Sequence, residues 1–323
     1  MESASKHIDT APLTELVDRV QDQIRKVIVG QHQMVELLLA GLLSDGHILL
    51  EGVPGVAKTL TAKIVARLID ARFSRLQFTP DLMPGDVVGT NIFNPQTSSF
   101  QFKSGPVFAN MILIDEINRA PAKTQAALFE VMEERQVTID GHTHKMEDPF
   151  MVIATQNPVE HEGTYRLPEA QLDRFLMKIV VGYPTLDEEV RILNMQHQQT
   201  INELLNDLQP VISRADLANA KALIRQVHVE PRLIEFIARI SWETRNDSSL
   251  YLGASPRASV ALLQVSKALS VIRGRDFVIP DDIQQMAIPV LRHRVSLTPE
   301  KEMEGATSDT VLQEILSKIE IPR

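Results

Sequence analysis

Apolar residues first recur at helical spacing. After Thr14 they fall at Leu16, Val17, Val20, Ile24, Val27 and Ile28, and Gly30 is a natural stop. A second helix is expected from about residue 31 to 43. The pattern then shortens into apolar runs at 47–50, 72–78, 111–115, 150–155 and 175–181. None alternates strictly, as expected of strands covered on both faces. Helical stretches at 58–68 and 123–134 separate them, and strands alternating with helices predict a parallel α/β sheet. Two places interrupt this rhythm. Phe100-Gln-Phe with Gly105-Pro106 reads as a hairpin, as does the stretch 136–145, where Asp140-Gly141 is a strong two-residue turn signal.

Beyond Gly182-Tyr183-Pro184 the pattern becomes helical almost throughout, at 187–206, 216–226, 231–245, 256–272 and 281–292. Ser255-Pro256 looks like an N-cap followed by proline at the first helical position, and Pro280-Asp281-Asp282 opens another helix. These readings divide the chain into an α/β domain at 1–183, with 1–12 polar and expected to be mobile, and an α-helical domain at 184–323. Trp242, the only tryptophan, falls in a helical run and is expected in the core of the second domain, with that domain's Met and Leu positions.

Composition narrows the class. The 323 residues are 44% hydrophobic and 23% charged, as in an ordinary soluble globular protein with room for two cores. No apolar run approaches a membrane span, and the start of the chain lacks a basic-then-apolar export signal. The absence of cysteine excludes disulfides, thiolate metal sites and cysteine catalysis. A cytoplasmic location fits all of this. The net charge of −9 argues against a mainly electrostatic nucleic-acid binder.

The chemistry begins at 52–59, Gly-Val-Pro-Gly-Val-Ala-Lys-Thr, between a strand and a helix. Such a loop points successive backbone N–H groups at a polyphosphate, and the helix dipole adds favourable potential. Lys58 can reach the β/γ phosphates and Thr59 can ligate Mg²⁺. Ala57 stands where the general pattern has glycine. The strand at 111–115 then delivers two adjacent carboxylates. Asp115 would hold Mg²⁺ and Glu116 would orient the attacking water. Without the loop at 52–59 that pair would read rather as two solvated acids at a turn; with it, catalysis is the better reading. Asn157 ends another apolar strand, where ligands of open parallel sheets collect, although Asn157-Pro158 is also a plain turn signal. Arg174 closes the string Leu167-Pro-Glu-Ala-Gln-Leu-Asp-Arg, and Arg257 opens a helix in the second domain. Locally each could be a solvated arginine. His142 and His144 share one face of a strand, which reads as a solvated hairpin face rather than a metal pair.

In this order the motifs resemble those of AAA+ ATPases, and more narrowly the MoxR family, related to the magnesium-chelatase ATPase subunit. The resemblance rests on 51–59, Gln77-Phe-Thr-Pro-Asp-Leu82, Gly105-Pro-Val-Phe108, Ile114-Asp-Glu-Ile-Asn-Arg-Ala-Pro121, Ala154-Thr-Gln-Asn-Pro158, Glu162-Gly-Thr-Tyr165 and 167–175, and covers most of 27–182. Ala57 is also what this family's loop looks like. The resemblance implies a P-loop NTPase sheet of order 5-1-4-3-2 followed by an all-α lid. It assigns nucleotide contacts to Val29, Gly30, Gly52, Pro54, Gly55, Val56, Ala57, Lys58, Thr59 and Leu60, and metal ligation to Thr59 and Asp115. Asn157 becomes sensor 1, Arg257 sensor 2 and Arg174 the finger reaching into a neighbouring subunit. Arg119 looks like an interface residue. Arg166 stands where the family usually has proline, which makes it a poor candidate for the finger. The two hairpins match insertions that remodel partners in related motors. The implied cofactors are ATP and Mg²⁺, the implied assembly is a homo-hexamer, and the implied partner is a protein client, often bearing a von Willebrand factor A domain. Two rival readings are an ATP-gated scaffold with negligible turnover and a nucleic-acid-linked motor, against which the acidic balance counts.

Overall fold

The computed structural model describes residues 9–53, 55–157 and 164–322. Pro54, Pro158 and Glu162 lie outside the described residues, as do residues 1–8 of the expected mobile start. Helices α1 (Ala11–Arg25) and α2 (His32–Leu43) lead into strand β1 (Ile48–Gly52) and helix α3 (Lys58–Leu68). Strand β2 (Phe73–Gln77) is followed by α4 (Pro84–Val88) and the hairpin β3 (Gly89–Asn94)–β4 (Ser99–Ser104). Next come β5 (Met111–Asp115), α5 (Ala122–Glu134) and the hairpin β6 (Gln136–Ile139)–β7 (His142–Lys145). The α/β part closes with β8 (Met151–Gln156), the short α6 (Glu169–Leu172) and β9 (Met177–Val181).

The central sheet has the order β2-β5-β8-β1-β9, with every pair parallel. Counting only its own strands, this is the expected 5-1-4-3-2. Alternation within the strands explains why the sheet is covered twice. Ile48, Leu50, Leu113 and Ile153 join one apolar cluster with α1, α2, α3 and the lid helices. Leu49, Ile112, Ile114, Val152 and Ala154 join a second cluster under α5. A run of consecutive apolar residues is what two buried faces require. The Asp140-Gly141 turn has φ of 49° and 81°, the left-handed pair that a two-residue hairpin turn demands.

The lid runs through α7 (Leu186–Gln198), α8 (Ile201–Asp207), α9 (Arg214–Arg225) and α10 (Pro231–Asn246). A two-strand ribbon, β10 (Leu250–Leu252) with β11 (Ser296–Leu297), brackets α11 (Pro256–Ile272) and α12 (Pro280–Leu291). Helices α13 (Pro299–Met303) and α14 (Ser308–Lys318) close the described chain. Apolar packing does not break at 184, because α2 lies against both α11 and β9, and α1 against both α11 and α3.

Several expectations are corrected here. The stretch 187–206 is two helices, not one, because Thr200 starts a new one: its hydroxyl accepts from Glu203 N–H and the Glu203 carboxylate reaches back to Thr200 N–H. Trp242 is not core. It is 55% exposed, on the outer face of α10, whose Leu233, Phe236, Ile237 and Ile240 are buried. Met303, Leu186 and Leu193 are likewise exposed, whereas Met286 is core. His144 is not simply solvated, since its ring stacks on Phe102 of the other hairpin at 4.2 Å. The ribbon and the short helices α4 and α13 are too brief to leave a periodic signal.

Candidate active site

Strand β1 ends at Gly52 and α3 starts at Lys58, so the intervening loop must reverse within five residues. Gly55 and Ala57 take φ of 88° and 61°, turning the backbone of the loop toward the start of α3. An alanine in this region costs about 1–2 kcal/mol relative to the right-handed conformation. Gly52 has a different reason. A Cβ there would lie 2.5 Å from the backbone oxygen of Val181, on the neighbouring β9. The ammonium of Lys58 folds back over the loop and donates to the backbone oxygens of Gly52, Val53 (3.3 Å) and Gln156 (3.5 Å).

The carboxylates at the end of β5 are held from three sides. Asp115 Oδ1 accepts from the hydroxyls of Thr59 at 2.9 Å and Thr155 at 3.3 Å, and Oδ2 accepts from Arg75 Nε at 2.7 Å. Thr155, on the adjacent β8, also accepts from Glu116 N–H at 3.0 Å. Glu116 sits at φ 57°, an uncommon conformation for a non-glycine residue that turns its side chain off the end of the strand. Its Oε2 accepts from Gln77 Nε2 at 2.7 Å and faces Arg119 Nε at 3.0 Å.

These groups line one cleft of about 670 Å³ at the carboxyl ends of the strands. Lys58, Thr59, Asp115, Glu116 and the buried Asn157 form its polar end. Val27, Ile28 and Val29 from one side, and Ile192, Met195 and Leu205 from the lid, form an apolar wall. Size and lining suit a nucleotide: a planar base against the apolar wall, phosphates over the loop. The Thr59 hydroxyl and the Asp115 carboxylate, 2.9 Å apart, are hard oxygen donors of the kind Mg²⁺ takes while keeping water and phosphate ligands. Gly55, Val56, Ala57 and Leu60 line the same cleft, but Gly30 lines a separate cavity between α1 and α2.

Arg174 and Arg257 lie elsewhere. Arg174 precedes β9, at the amino ends of the strands, where it donates to Phe129 O and faces Glu133 Oε2 at 3.8 Å. Arg257 pairs with the same Glu133. The five residues of β9 span about 16 Å at 3.3 Å per residue, so the two arginines sit at the opposite end of the strands from Lys58. The structure therefore does not bring Arg257 onto its own subunit's loop. The reason is how α11 docks: Ser255 leaves its capping role and donates to Asp173 at 3.1 Å, pinning the helix start beside Arg174. Arg166 is exposed and lies 3.8 Å from Glu169.

Comparison with known proteins gives the family and agrees with the fold. Residues 47–177 match the model of the ATPase family associated with various cellular activities (AAA), and 242–315 match an AAA lid domain. The chain is 44% identical to Chaperone MoxR1 of Mycobacterium tuberculosis, over 95% of this chain and 82% of that protein. It belongs to the MoxR family of AAA+ ATPases. It is also 46% identical to the uncharacterised YeaC of Bacillus subtilis over 96% of both chains. A crystal structure from Cytophaga hutchinsonii superposes with a TM-score of 0.89 at 41% identity, covering 98% of this chain and 97% of that one. No helix among the described residues of this MoxR-family chain is long and apolar enough to cross a membrane.

Three residues of this MoxR-family site escaped the sequence reading: Arg75, Gln77 and Thr155. Gln77 and Thr155 lie inside strings that carry the family resemblance, but nothing local marks any of the three. Their contacts exist because β2 and β8 flank β5, with Gln77 in register with Asp115.

Proposed function

We propose that this chain hydrolyses Mg-ATP at the interface between subunits of a ring, expected to be a homo-hexamer, and uses the energy to remodel or mature a protein client. One observation carries the reading. Lys58, Thr59, Asp115 and Glu116 converge at one end of the sheet, while Arg174 and Arg257 stand together at the other, joined through Glu133. A subunit so built presents two halves of a site at opposite ends of its strands, and stacking around a ring would join them.

Within the cleft, Glu116 orients water for in-line attack on the γ-phosphate, and Lys58 leaves its backbone acceptors to neutralise the β/γ oxygens. Asn157 donates to the γ-phosphate. Bound Mg²⁺, held by Thr59 and Asp115, would supply Lewis-acid stabilisation of the phosphate charge. Arg174 and Arg257 of the adjacent subunit stabilise the charge that develops on the transferred group. Arg294 bears on this step at a distance. Its buried guanidinium donates to Asp173 Oδ1 at 2.7 Å and to the backbone oxygens of Phe175 (2.6 Å) and Leu176 (2.9 Å), so the lid fixes the segment that carries Arg174. A partner with a von Willebrand factor A domain and action in the cytoplasm complete the proposal.

ATP turnover of wild type against Glu116→Gln is the test. Turnover in wild type that falls about 10²–10⁴-fold in the variant supports hydrolysis. Equal, negligible rates with ATP still bound would leave only a nucleotide-gated scaffold.

A further inference from the structure

Arg75 occupies a position that the nucleotide chemistry does not call for. It stands on β2, the edge strand of the sheet, with its side chain 56% exposed, whereas the Asp115 side chain that it pairs with is only 6% exposed. The two oxygens of Asp115 are divided between different kinds of donor. Oδ1 takes the neutral hydroxyls of Thr59 and Thr155, and Oδ2 takes Arg75 Nε at 2.7 Å. Among the described residues the Arg75 side chain hydrogen-bonds only to Asp115. A nearly buried carboxylate left without a countercharge is costly, and Arg75 is seated on this one as a cation.

Resting on the reading of this cleft as an Mg-nucleotide site, we propose that Arg75 is a resident counter-ion of Asp115, which it must release when Mg²⁺ arrives, so that Arg75 sets the Mg²⁺ concentration needed for nucleotide binding. A guanidinium and a divalent cation repel each other at one carboxylate. The exposed arginine on an edge strand is the partner free to leave, because no strand among the described residues lies beyond β2 to confine it. The device keeps the carboxylate paired and in place between turnovers, held against the same oxygen set that receives the metal. The opposite role would be a direct contact from Arg75 to phosphate. It predicts the opposite sign, since removing such a contact weakens nucleotide binding at every Mg²⁺ concentration.

The test titrates Mg²⁺ against a fixed concentration of a fluorescent ATP analogue, reading binding rather than turnover, with Glu116→Gln present throughout to prevent hydrolysis. Arg75→Gln should lower the Mg²⁺ midpoint about three- to tenfold, the range expected for losing one competing charged hydrogen bond on a half-exposed arginine. Arg75→Lys, which keeps the charge, should stay near the unsubstituted midpoint, and Arg75→Glu should fall at least as far as the glutamine variant. That ordering by charge supports the counter-ion. An unchanged or raised midpoint in Arg75→Gln, with nucleotide still bound at saturating Mg²⁺, overturns it while leaving the nucleotide site intact. Failure of the chain with native Arg75 to bind the analogue at any Mg²⁺ concentration would overturn the nucleotide-site reading itself, and this inference with it.

Discussion

Acid should loosen this fold through one buried imidazole. His47 immediately precedes β1 and is 5% exposed. Its Nδ1 accepts from Val152 N–H at 2.9 Å, and its Nε2 faces Met132 O at 3.1 Å, so the neutral tautomer with the proton on Nε2 satisfies both. Phe150 packs edge-on against the ring at 5.5 Å. Burial pushes the imidazole pKa down from 6.5 to about 4, outweighing the bond to Met132 that works to raise it. Below pH 6.5 the unfolded chain takes up a proton that the folded chain refuses until about pH 4. Stability is thus lost as pH falls through this window, at up to about 1.4 kcal/mol per pH unit. Integrated from pH 7.5 to pH 5, the loss from this group is about 2 kcal/mol.

His47→Gln removes the titration and keeps a neutral donor and acceptor at the site. Urea unfolding of both chains at pH 7.5, 6.5, 5.5 and 5.0 should show the variant less stable by about 1 kcal/mol at pH 7.5, where it loses hydrogen-bond geometry. By pH 5 the wild type's disadvantage should erase or reverse that gap. The second buried imidazole, His293, is also held well below its ordinary pKa by desolvation and by Arg294, but it is present in both chains and cancels in the difference. Parallel stability curves across the four pH values would refute the assignment of the slope to His47. The readout matters for function because this imidazole ties the start of β1, whose far end carries the phosphate loop, to α5 and β8.

Three further outcomes follow from the contacts described. Arg294→Ala should cost about 3 kcal/mol or more, because it strips a countercharge from Asp173 and donors from several buried carbonyls; calorimetry should show the lid and sheet unfolding in separate steps rather than together. Gly52→Ala should weaken nucleotide binding and cost about 1–3 kcal/mol, since its Cβ would meet the Val181 backbone oxygen at 2.5 Å; unchanged affinity for a fluorescent ATP analogue would count against a tight fit there. Arg174→Ala subunits should bind ATP normally yet, mixed into wild-type assemblies, lower turnover per site, with a loss of about 10³–10⁵ at each site they complete. If they behave as inert diluent, Arg174 is not the finger.

Much of this protein was decided locally. The phosphate loop, the Asp115–Glu116 pair and the order of strands and helices are written in short windows, because helical and strand periodicities and turn chemistry act over a few residues. The sheet order was reached by family resemblance, and the packing explains it only afterwards. Local pattern also misled in identifiable places. Trp242 has helical spacing like its neighbours, yet faces outward, because spacing locates a face only relative to other residues and not relative to a partner layer. The break at Thr200 hid inside a continuous periodic run until its cap showed that a new helix begins there.

What only the tertiary structure decided is the company each charge keeps. Arg75 and Asp115 are 40 residues apart, and Arg257 and Glu133 are 124 apart, so no window of sequence contains either pair. β2 beside β5 puts a cation on the Asp115 carboxylate, and α11 docking at the amino ends of the strands sends Arg257 away from the 52–59 loop of its own chain. Charges act through space rather than along the chain, and their partners are therefore set by the folded packing.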